Sequence, residues 1–89
     1  MAALAANVRL RRELIERIAM LIETQRDRGE LTLRELADTL GLAHPRVADL
    51  LARRAGRFSL DRLVVLAEEL GLKVRIRATR PYGTGGSAD

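Results

Sequence analysis

Eighty-nine residues, a net charge of +4, 47% hydrophobic and only 2% aromatic content allow one domain with a modest core of Leu, Ile, Val and Ala. So few aromatics argue against a stacking platform for single-stranded nucleic acid. The absence of cysteine excludes disulfides and thiolate metal sites.

Met1–Ala6 is apolar but too short and too poor in basic residues for a signal peptide, and it is expected to be a flexible N-terminus. No apolar run approaches the ~20 residues of a membrane span. A soluble cytoplasmic chain with no membrane partner is the expectation. Asn7 can cap a long helix running to about Asp27. Leu14, Ile18, Leu21 and Ile22 recur at helical spacing, flanked by Leu10 and Ala19. Glu13 and Arg17 stand four apart in the favourable order. Arg9, Arg11 and Arg12 read as a solvated basic patch. The polar run Gln25–Glu30 contains Gly29 and ends this helix.

The stretch LTLRELADTLGLAHPRVADLLA, Leu31–Ala52, reads as two short helices around a tight turn. Thr32 and Glu35 form a T-x-x-E capping box. Leu36, Ala37 and Leu40 give the first helix its buried face, and Gly41 suits the left-handed residue at its end. The second helix starts near His44 or Pro45, where proline costs no hydrogen bond. Val47, Leu50 and Leu51 face inward, leaving His44, Pro45, Arg46, Ala48 and Asp49 near the exposed front. This spacing is that of a helix-turn-helix, whose second helix enters the DNA major groove.

Ala52–Phe58 reads as a basic loop. Ser59 caps a further helix, with Leu60, Leu63, Val64, Ala67 and Leu70 on one face and Gly71 at its end. Val65 and Leu66 widen that face beyond the needs of a small monomer. Leu72–Ala78, LKVRIRA, alternates apolar and basic residues as a strand does. With no second strand in the chain, antiparallel pairing with another copy is expected, and Val65, Leu72, Val74 and Ile76 are the candidate dimer interface. The tail from Arg80 to Asp89 is glycine-rich and expected to be disordered. The architecture is therefore a small all-α helical bundle over residues 7–79, plus one strand at 72–78.

Lys73 is the only lysine, so basic charge is carried by arginine, which suits bidentate contacts to phosphate and guanine. His44, Pro45, Arg46 and Asp49 are the candidates for base contact, with Arg46 on guanine and Pro45 on a thymine methyl. Asp49 can accept from cytosine, but pairing with Arg46 or Arg53 is the preferred role. Thr32, Arg34, Arg53, Arg54 and Arg57 are assigned to phosphates, contacts that position without specifying. His44 is the only histidine, and no carboxylate cluster accompanies it at metal-ligand spacing. No nucleophile triad, P-loop or dinucleotide fingerprint is present. No cofactor, small-molecule substrate or enzyme activity is expected.

The residues LTLRELADTLGLAHPRVADLL resemble the Xre/Cro/C1-type, lambda-repressor-like helix-turn-helix. The continuation FSLDRLVVLAEELGLKVRIR is similar to the HigA-type antitoxins. The resemblance spans roughly Leu10 to Arg77. Two functions are expected, and they are not exclusive: a homodimeric repressor binding a palindromic double-stranded DNA operator, or, as the resemblance implies, mainly a protein-binding antitoxin that neutralises a cognate ribonuclease toxin, with DNA binding secondary. Two positions depart from the family pattern. Leu33 stands where glutamine usually braces a phosphate contact, and Ala43-His44 stands where the recognition helix often begins Ser-Gln.

Overall fold

The computed structural model describes residues 2–77. In chain order they form α1 (Ala2–Asp27), α2 (Leu33–Leu40), α3 (His44–Leu51), a one-turn 3-10 helix (Ala55–Arg57) and α4 (Leu60–Glu69). α1 starts ahead of the expected cap at Asn7. The alanine-rich run before Asn7 is a strong helix former, so the segment expected to be flexible is helical from Ala2 onward.

α1 packs along α3, the 3-10 turn and α4, while α2 lies against α3 and α4. The buried stripe of α1 is Ile15, Ile18, Ala19 and Ile22, a regular i, i+3, i+4, i+7 pattern. Leu14 and Leu21, expected in that stripe, lie half-buried beside it. Leu36, Ala37 and Leu40 from α2 meet Val47 and Leu50 from α3 and Leu63, Leu66 and Ala67 from α4. Phe58 joins them, buried at the end of the 3-10 turn. Leu66 is fully buried in the monomer, so only Val65, 45% exposed, is left over on α4.

α2 opens on the expected capping box. The Glu35 amide donates to Thr32 Oγ1 at 3.1 Å, and the Thr32 amide donates to Glu35 Oε1 at 2.9 Å. The backbone hydrogen bond from Thr32, with its hydroxyl contact, holds the Glu35 carboxyl below its ordinary 4.5. Folding that lowers a carboxyl pKa adds stability that is complete above the unfolded value and lost as pH falls through the folded one. Tm should therefore stay level from about pH 7 to about pH 5 and fall below that. Glu35→Gln should remove part of the acid sensitivity. An unaltered pH profile in that variant would exclude the box as its source.

Gly71 ends α4 in the left-handed region, with φ of 91°. Residues 72–77 then run without a strand ladder, because no partner edge lies beside them among the described residues. The expected strand is thus not formed among the described residues. Leu72 and Val74 pack on the core, whereas Ile76 is 57% exposed. Ala78 and the tail from Arg80 lie outside the described residues.

Candidate nucleic-acid interface

Gly41, with φ of 65°, turns the chain between α2 and α3. Its amide bonds Asp38 O at 3.3 Å and the Leu42 amide bonds Ala37 O at 3.0 Å, closing the end of α2 by a 6→1, 5→2 pair. Leu42 then packs against the core and fixes the entry of α3. α3 starts at His44 behind Ala43, an N-cap residue that makes no side-chain cap, and carries Pro45 in its first turn. Val47 and Leu50 hold one face of α3 to the core, while His44, Pro45, Ala48 and the following Ala52 are exposed.

Asp49 departs from the expected exposed front. It is only 6% exposed and is the one buried charged residue among the described positions. Three guanidiniums surround it. Arg54 Nη1 donates to Oδ1 at 2.9 Å, Arg46 Nη1 to Oδ2 at 3.4 Å, and Arg57 Nη1 lies 3.7 Å from Oδ2. Arg46 is fixed twice more. Its Nη2 donates to Arg57 O at 2.7 Å, and its guanidinium lies 4.2 Å from the centroid of the Phe58 ring. From α1, Arg11 Nη1 reaches the carbonyls of Ala55 and Phe58 at 3.5 and 3.4 Å, tying the 3-10 turn to the long helix. Arg11 Nε is buried without a hydrogen bond.

Arg53 serves the scaffold on the other side of its neighbour Arg54. It ends α3 with φ of 58°, the conformation that Gly41 and Gly71 adopt at their helix ends. The Arg54 amide closes the same 6→1 bond there, to Asp49 O at 3.0 Å. A non-glycine residue in this region carries a cost of about 1–2 kcal/mol. Its guanidinium offsets that cost by binding two carboxylates of α1, Glu16 Oε1 at 2.9 Å and Glu23 Oε2 at 2.7 Å. The Arg53 hydrogen bond holds the Glu23 carboxyl below its ordinary range, and the same contacts keep Arg53 firmly protonated.

The site is thus two short helices joined by a glycine turn, the second presenting a solvent face with arginines beside it. A family model described as a helix-turn-helix domain matches residues 1–79. The chain belongs to the helix-turn-helix domain family. No curated protein and no solved structure matches it.

In this helix-turn-helix domain the residues singled out from sequence fall into distinct groups. Thr32 and Arg34 are exposed at the start of α2. His44 and Pro45 are exposed at the start of α3. Arg46, Asp49, Arg54 and Arg57 come together in one cluster, whereas Arg53 is engaged with α1. Leu72 and Val74 are half-buried against the core, while Val65 and Ile76 are exposed. Sequence reasoning missed the parts played by Phe58 and Arg11. The lone phenylalanine ending a basic loop was the available signal for the first. Nothing local marks Arg11, whose partners lie 44 and 47 positions away. No group of three metal-binding side chains occurs among the described residues, and no helix there is long and apolar enough to cross a membrane.

Proposed function

We propose that this helix-turn-helix protein is a sequence-specific double-stranded DNA-binding regulator of the cytoplasm, acting as a homodimeric repressor on a palindromic operator. The observation that carries the reading is the arginine cluster: Arg46, Arg54 and Arg57 fan around one buried carboxylate beside the exposed face of α3. The excess positive charge suits a phosphate backbone flanking the groove that α3 enters. Arg34 and Thr32, at the α2 start, supply a second basic and hydroxyl contact point. A two-fold dimer would set its reading helices about 34 Å apart, one turn of the duplex. Repression then follows from occlusion of the promoter. Selection of bound sequences from random duplex DNA is the test. An enriched inverted repeat is the expected result, and no enrichment would sink the reading.

An apolar groove between α1 and residues 72–76 supports the dimer. Leu10, Leu14, Met20, Leu72, Val74 and Ile76 line it, and Met20 is 53% exposed. Its rim carries Glu13, Glu16 and Arg17 from α1 and Lys73 and Arg75 from the C-terminal segment, so a two-fold axis can bring Glu13 of one copy to the basic C-terminal segment of the other. Ile76→Asp should lower dimer content in sedimentation while leaving helical circular dichroism unchanged. It is preferable to truncation at Gly71, which would strip Leu72 and Val74 from the core. An intact dimer in the variant would remove this segment from the interface.

A second reading places a cognate ribonuclease toxin on the same groove, making the chain an antitoxin of the HigA type. It is supported by the FSLDRL and LGLKVRIR segments and by the exposed apolar residues of the groove. A small basic toxin gene beside this one favours it, and the lack of such a neighbour favours a stand-alone regulator.

A further inference from the structure

We infer that α3 reads the 5-methyl groups of pyrimidines, thymine above all, in place of a guanine edge; the inference rests on the DNA-binding reading above. At about 100° per residue, His44, Pro45, Ala48 and Ala52 share one arc of the helix surface. All four are exposed. The other polar side chains of α3, Arg46 and Asp49, are drawn off that arc.

A bidentate guanine contact needs two N–H groups side by side on one free edge of a guanidinium. Arg46 commits Nη1 to Asp49 and Nη2 to the Arg57 carbonyl, and it lays its face on the Phe58 ring. Withdrawing it would break all three contacts at once. His44 is then the only side chain on the exposed arc that can donate or accept a hydrogen bond. Around it stand the Ala48 and Ala52 methyls and the Pro45 ring. Small apolar groups let a helix come close to the groove floor, and their match among the base edges is the C5-methyl of thymine.

The experiment uses the full chain and a duplex enriched from the random pool. Each thymine is replaced in turn by deoxyuridine, which removes the methyl group and keeps the base pair. Loss of one buried methyl contact should raise Kd about fourfold at one or more positions in each half-site. Equal binding of every uracil-substituted duplex, together with weakening when guanines are replaced by 7-deazaguanine, would overturn the inference while leaving DNA binding intact. Failure to enrich any duplex would overturn both. The perturbation lies in the DNA, so protein folding does not enter the outcome.

Discussion

Asp49→Ala should destabilise the domain by about 2 kcal/mol, read as a lower denaturant midpoint at unchanged m-value. The carboxylate is buried and accepts from Arg54 and Arg46, with Arg57 next to it. Removing it leaves three guanidiniums facing one another with no counter-charge. Breaking a fully buried pair costs about 3–5 kcal/mol. The cost here is smaller because the side chains of Arg54 and Arg57 are 57% and 61% exposed and can turn to water, while Arg46 keeps the Arg57 carbonyl and the Phe58 ring. In a domain of this size the loss lowers Tm by about 10 °C. Asp49→Asn keeps the volume and one acceptor oxygen, so it should fall between wild type and alanine. An unchanged midpoint in Asp49→Ala would mean that the cluster holds no structure together. The affinity of the same variant for duplex DNA separates two views of an acidic residue beside the proposed DNA interface. Simple charge counting says its removal strengthens binding, whereas under the proposed reading it disorders the arginines that contact phosphate.

The double variant Arg54→Ala, Arg57→Ala should make the plot of log K against log salt shallower by about 2. Two fewer phosphate contacts correspond to roughly a 50-fold weaker complex near 0.1 M salt. The loss should be uniform across DNA sequences, since phosphate contacts position a protein without reading bases. Arg53→Met is the internal comparison. Its guanidinium is already neutralised by Glu16 and Glu23, so the slope should barely change. A full unit of slope lost in Arg53→Met would return that residue to the phosphate contacts, at the expense of its place on α1.

The helix boundaries and the turn between α2 and α3 were legible because they are local. A capping box, a left-handed glycine and a proline in the first turn act within four residues of where they stand. The buried face of α1 was less legible. Leu14, Ile15, Ile18, Leu21 and Ile22 fit two overlapping stripes, and only the position of α3 and α4 selects the one through Ile15. Asp49 was misplaced because a charged residue on a short helix reads as solvent-facing. Its burial depends on Arg54 and Arg57, which reach it from beyond the helix. The pairing of Arg53 with α1 was illegible for a similar reason, since Glu16 and Glu23 lie 37 and 30 positions away. The segment 72–77 shows the limit of a periodic signal. Alternation marks an edge that could pair, but no partner edge lies among the described residues.

The adjacent residues Arg53 and Arg54 give the molecule an electrical polarity. Arg54 belongs to a cluster in which three guanidiniums surround one carboxylate. Arg53 belongs to another, in which two carboxylates share one guanidinium. The first draws a polyanion, whereas the second, with Arg26 also acting on Glu23, has no net charge left to draw one. A duplex diffusing past would exert a torque on the protein before any contact forms, turning the 3-10 end of α3 toward it. That orienting pull reaches only about 8 Å at physiological salt. Salt should therefore slow productive encounter, not merely loosen the finished complex.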